Sequence, residues 1–284
     1  MDVQRSGQTG RKIMNNYKDL FVWGYVQKTV PSSIPFVPQK SFCSLETACD
    51  YMHADSAVFM NSTHDMAELS PELLHYLDGR NIVCGLTHGA YRACAEKVSL
   101  MSLQFPNITG AIIDDFLDES GRYKGPSAGM TPPELKEIRD ALRKHNPDLK
   151  LYVVRYTRQK PEDLIPYLPY FDVLNLWVWC STEDFWTANY RDTIAELISL
   201  YDKPIMQGLF LHHYGFRNIG ASPAMDMDLL ETQCDRISME LHQKNVNALC
   251  ILQNGWFSDI THRKQVQFLK DFVDWHYGTT TADR

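Results

Sequence analysis

The sequence predicts an α/β fold, a single (β/α)8 or TIM barrel, on three observations. Eight short apolar runs alternate with eight segments that carry helix-start signals and helical patterning. No linker, internal repeat or shift in composition divides the chain. Its 284 residues suit one such barrel, which takes about 250. An open doubly wound sheet is the competing arrangement. That fold calls for a glycine-rich phosphate loop after the first strand, and Val26 to Pro38 is rich in proline instead.

Taken in order, Leu20 to Tyr25 is the first strand, and a helix capped by Ser44 or Ser41 runs through Tyr51. Ser56 to Asn61 is the second strand, and Ser70-Pro71-Glu72 starts a helix with proline at its first position. Arg80 to Thr87 is the third strand, with a helix from Ala90 to Leu103 behind it. Gly110 to Ile113 is the fourth, a short apolar run of the kind covered on both faces. A Gly-, Ser- and Pro-rich stretch then feeds a helix from Thr131 to Lys144, and Gly121 to Pro133 is expected on the rim that carries Asp114. Leu149 to Tyr156 is the fifth strand and Pro161 to Leu168 a short helix. Phe171 to Trp179 is the sixth, followed by a helix over Ser181 to Leu200 with Ser181 as cap and Asp184 as its acidic partner. Lys203 to Leu211 and Asn247 to Asn254 are the last two strands, with helices over Asp226 to Lys244 and His262 to His276.

Composition narrows the function. A net charge of −7 argues against nucleic acid, whose phosphates need a basic surface. No apolar stretch approaches the roughly 18 residues of a membrane span. Met1 to Lys18 is polar, without the apolar core of a signal peptide, and reads as a flexible leader. The compartment stays open. The barrel domain is expected over 19–278, with a short tail over 279–284. Seven cysteines, scattered and without a CxxC pair, point to neither a zinc site nor a disulfide framework. Cys84 and Cys250 read as packing residues, and no cofactor is implied.

The most informative stretch is the end of the fourth strand, where Ile112-Ile113 gives way to Asp114-Asp115 and then to Asp118-Glu119. Strand side chains alternate, so two adjacent acids share a pocket only where the pleat relaxes at the strand's end. Like charges that close push one pKa up, which keeps one carboxyl protonated as a general acid. In barrels the chemistry gathers at these C-terminal strand ends. The other ends supply Tyr25, Asn61, His88, Tyr156, Trp177, Trp179, His212, Tyr214, Gln253 and Trp256. Asn175, Gln207 and Gln253, polar within apolar strands, are expected to face inward, and Asn175 carries Trp177 and Trp179 with it. Aromatic faces interleaved with amides and acids suit a sugar ring and its hydroxyls. A small-molecule or oligosaccharide substrate is therefore expected. His212-His213 forms no metal-ligand spacing with another motif, and no G-x-S-x-G nucleophile elbow is present.

An acid-tipped fourth strand in such a barrel resembles the glycoside-hydrolase (β/α)8 superfamily. Its common form carries acids after strands four and seven, and strand seven here ends Leu211-His212-His213. The local resemblance is instead to substrate-assisted hexosaminidase-like families, in which neighbouring acids follow strand four. It implies that the substrate's N-acetyl group is the nucleophile, with Asp114 orienting it and Asp115 protonating the leaving oxygen. The chitinase-like DxxDxDxE signature is absent. Two other readings compete: a non-catalytic carbohydrate-binding barrel, and a metal-assisted hydrolase using His88, His212 and the two aspartates.

Overall fold

The computed structural model describes residues 17–25, 43–60, 71–87, 89–117, 130–214, 224–253 and 256–278. Eight parallel strands close a barrel in sequence order, with β1 pairing β8. They are β1 (Tyr17–Tyr25), β2 (Ala54–Met60), β3 (Asn81–Gly85), β4 (Ile108–Ile113), β5 (Lys150–Tyr156), β6 (Val173–Trp177), β7 (Ile205–Phe210) and β8 (Ala248–Leu252). The predicted barrel is the observed one. The strands are shorter than the apolar runs at β3 and β6, so Thr87 and Trp179 stand beyond the ladder on the rim.

The helices around it are α1 (Leu45–Met52), α2 (Pro71–Leu74), α3 (Tyr91–Met101), α4 (Pro132–Leu142), α5 (Tyr190–Tyr201), α6 (Met227–His242) and α7 (Arg263–Gly278). Ser44 caps α1 by accepting the Thr47 N–H, and Asp226 caps α6 by accepting those of Asp228 and Leu229. Thr131 and Glu134 form a capping box at α4. Two connections depart from expectation. Pro161–Tyr170 is 3-10 helix, since Pro166 and Pro169 remove the donors that an α-helix needs. Before α5 the chain makes a π turn over Phe185–Asn189. Ser181 does not cap it: the Ser181 hydroxyl accepts the Trp186 indole N–H at 2.6 Å, and Thr182 Oγ1 takes the Phe185 N–H.

Residues paired across parallel strands point to the same side, which lets one face be followed around the barrel. Trp177 pairs Tyr156, and Phe210 pairs Leu252, which pairs Trp23. This is the interior face: the Trp23 and Trp177 rings meet edge-on at 5.8 Å, and Trp177 lies 4.5 Å from Phe210. Gly208 is required beneath them, because a Cβ there would lie 2.1 Å from the Trp177 ring. The opposite face packs on the helices. Gln207 is on it, and its Oε1 accepts the hydroxyl of Tyr190 from α5 at 3.1 Å. The expectation that Gln207 faces inward is therefore corrected: a buried amide sits safely in the helical layer because a tyrosine supplies its partner. Gln253 is corrected in the same way. It follows the interior residue Leu252, and its side chain fills the space that Gly24 leaves by lacking a Cβ.

Candidate active site

The acid pair sits where the fourth strand stops. Asp114 is the first residue past β4, and its Oδ1 accepts the Asp115 N–H at 2.8 Å. That bond bends the chain at once, and Asp115 takes φ 49°. Aspartate tolerates this left-handed region better than most residues. Leu117 takes φ 63°, a costlier conformation for a bulky side chain, which persists only where the surroundings impose it. They do so through Gln159. Its Nε2 donates to the carbonyls of Phe116 (3.2 Å) and Leu117 (2.8 Å), while its Oε1 accepts the Tyr156 N–H (2.9 Å). Phe116 is buried edge-on against Tyr167. The turn after β4 is thus clamped to the end of β5.

Across that clamp, the Tyr156 hydroxyl donates to Asp115 Oδ1 at 2.5 Å. Burial holds the phenol well above its ordinary pKa, so it stays a donor at neutral pH. Arg158 lies over the Tyr156 ring at 5.1 Å.

From Tyr156 the aromatic groups continue without a break around the mouth. Trp179 meets Tyr156 edge-on at 5.5 Å and stacks on Tyr214 at 5.1 Å. The Tyr214 hydroxyl accepts the Trp256 indole N–H at 3.1 Å. Trp256 in turn stacks face to face on His212, with centroids 4.2 Å apart and planes 3° apart. His212 and His262 are joined through Nδ1 and Nε2 at 3.1 Å. The belt therefore runs from the end of β5 to the segment after β8.

Of the residues expected at the site, Asp114, Asp115, Tyr156, Trp179 and His212 come together on this arc. Asn175 and Trp177 face inward as expected, but they lie deeper. Asn175 accepts the Trp177 indole N–H at 2.6 Å and donates to Met206 O at 2.9 Å, and both residues are buried. Trp256 is buried as well, so its stacking partner is His212. Of the three tryptophans, only Trp179 is half-buried rather than buried. Tyr25 ends β1 opposite Met60, while Asn61, His88, Asp118, Glu119 and most of Gly121 to Pro133 lie outside the described residues. Gln159, Thr261 and His262 were not anticipated. Tyr214, next to His213 just past β7, falls among the strand-end residues expected at the mouth.

Among the described residues, no group of three or more His, Cys, Asp or Glu is arranged to hold a metal ion. None of their helices is long and apolar enough to cross a membrane. Two cavities of about 510 Å³ lie away from the acid pair. One is between α1 and α7, beside Tyr51 and Ile260. The other is at the opposite end of the barrel, beside Asp19, Asp55 and Lys150.

No family model and no curated protein matches the chain. Solved structures do match in fold. One is a protein of Bacteroides thetaiotaomicron VPI-5482 described as a "putative alpha-L-fucosidase", with TM-score 0.56 and 7 % identity over 98 % of this chain and 99 % of that one. Another is a mutant tryptophan synthase alpha-subunit of Pyrococcus furiosus, with TM-score 0.51 and 12 % identity over 93 % and 99 %. At such identities the likeness establishes the barrel and nothing finer.

Proposed function

We propose that this protein is a glycoside hydrolase that takes a carbohydrate at the mouth of the barrel, with Asp115 as proton donor and Asp114 as the orienting acid. The observation that carries the reading is the Tyr156–Asp115 hydrogen bond beside Trp179. It fixes a carboxyl on a tyrosine that meets the half-buried Trp179 indole, the pairing that a sugar ring and its scissile oxygen require. With Tyr156 on Oδ1, the acid role asks Oδ2 to carry the proton. That proton passes to the glycosidic oxygen as the bond from the anomeric carbon breaks. The positive charge left on the ring is met by Asp114 or, as the resemblance implies, by an N-acetyl oxygen that Asp114 orients.

The experiment is hydrolysis of a panel of aryl glycosides, N-acetylhexosaminides included, by the purified chain. Turnover that Asp114→Asn abolishes supports the reading. A second reading, a carbohydrate-binding barrel without catalysis, is favoured by one feature: β7 leads to His212 and His213, where the common form has its second acid. Saturable sugar binding with no turnover on the panel would select it.

A further inference from the structure

Behind the belt lies a chain of four polar groups whose direction is fixed at one end. Asp259 Oδ1 accepts the Thr261 N–H at 2.8 Å, and the Thr261 hydroxyl contacts the same oxygen at 2.7 Å. Burial raises the Asp259 carboxyl, but those two bonds outweigh it and hold the group below its ordinary value, so it is ionised and only accepts. The Thr261 hydroxyl must then donate to it. Its oxygen is left to accept from His262 Nδ1, 2.8 Å away. A neutral His262 protonated on Nδ1 presents an unprotonated Nε2, which accepts from His212 Nδ1 at 3.1 Å. Neutral His212, protonated on Nδ1, is left with a lone pair on Nε2. Burial holds both imidazoles near a pKa of about 4, with His262 adding to the effect on His212, so both are neutral at pH 7.

That last atom is where the chain opens. His212 Nε2 is buried and has no hydrogen-bond partner among the described residues. A buried acceptor left unmet costs about 1–3 kcal/mol. The ring is held by Trp256 on its face and by His262 at Nδ1, so it cannot turn to bring Nε2 to another donor. His212 stands two residues past the end of β7, against Tyr214 and Trp256.

We propose that Asp259, Thr261 and His262 are positioning residues that set the tautomer of His212, and that His212 Nε2 is the acceptor for a ligand hydroxyl at the barrel mouth. The hydroxyl's assignment to a carbohydrate rests on the function proposed above; the tautomer relay does not. The site complements the acid pair. Asp115 and His212 stand at opposite ends of the aromatic arc, one as proton donor and the other as acceptor.

The test uses the full chain labelled with 15N, in which two-bond 1H–15N correlations report the tautomer of each imidazole. His212→Phe, which keeps a ring against Trp256, identifies the resonances. The ligand-free protein should show His212 protonated on Nδ1 alone. Thr261→Val, which removes the hydroxyl at nearly constant shape, should replace that pattern by a tautomer mixture. Protonation on Nε2, or a Thr261→Val spectrum identical to the parent, would overturn the relay. The parent is then titrated with D-glucose, D-galactose, L-fucose and N-acetyl-D-glucosamine. Any sugar that moves the Trp179 indole N–H should also move His212 Nε2 upfield, and His212→Phe should weaken its binding on the order of fivefold. A sugar that moves Trp179 but leaves His212 Nε2 unchanged overturns the acceptor role while the carbohydrate reading stands. If no sugar moves either group, the carbohydrate assignment falls as well, and the ligand-free tautomer shows whether the relay survives it.

Discussion

Trp177 fills the space above Gly208 and is 3 % exposed, whereas Trp179, two residues on, is half-buried against Tyr214. The two substitutions to alanine should therefore fail differently. Trp177→Ala should cost about 3–5 kcal/mol of stability through the cavity it leaves, read as a lower urea midpoint. Trp179→Ala should leave that midpoint nearly in place and weaken sugar binding by about 1–3 kcal/mol in calorimetry. Equal stability losses, or unchanged affinity for Trp179→Ala, would contradict this division. The sequence could place both tryptophans on one face, because that needs only the two-residue alternation. Their depth depended on Gly208, a neighbour 31 positions away that no local pattern connects to Trp177. Gln207 misled for a related reason. A polar residue in an apolar strand signals inward only when the helical layer offers it no partner, and Tyr190 does.

At the scale of elements, the turn after β4 is the part that the function reading depends on. Its two left-handed residues are held by Gln159, which reaches two of its carbonyls and the Tyr156 N–H. Gln159→Leu should cost about 2 kcal/mol or more, since it strands buried backbone groups. It should also lower kcat more than it raises KM, because Asp115 is displaced rather than removed. A kcat unchanged at saturating substrate would show that the turn holds its shape without the clamp. The strand and its acids were legible from a short apolar run that ends in charge. The clamp was not, since Gln159 stands in an ordinary polar loop, Thr157-Arg158-Gln159-Lys160. The capping signals at Ser44 and Thr131 were read correctly. Ser181 was not, because its hydroxyl is taken by Trp186 inside a π turn, and such a turn has no spacing signature.

For the whole molecule, the alternation of runs and helices was enough to give the closed barrel, since each apolar run is buried on both faces. What the sequence did not show is how many titratable groups the shell buries uncharged. His212, His262 and His276 are each held near a pKa of about 4: burial is the main cause for all three, aided by His262 and His213 at His212 and by His242 at His276. In the unfolded chain each titrates near 6.5. Between those values the unfolded state binds more protons, so stability rises with pH across the window and is lost as pH falls through it. The loss should be several kcal/mol, on the order of one or two for each imidazole. Urea midpoints measured from about pH 7 down to about pH 4.5 should decline steadily, and His276→Gln should flatten the decline. A midpoint constant over that range would contradict the buried, neutral state of these rings.

The central claim is that Asp115 delivers a proton to the departing oxygen, and the leaving group tests it most directly. Asp115→Asn keeps the size of the side chain and removes the proton. Rates for this variant and the parent are compared on two substrates that share a sugar and differ only in the aglycone, one alkyl and one a nitrophenyl group that departs without protonation. The account predicts a loss of roughly 10²–10⁴-fold on the alkyl glycoside and a much smaller one on the nitrophenyl glycoside. Equal losses on the two substrates would remove Asp115 from the acid role.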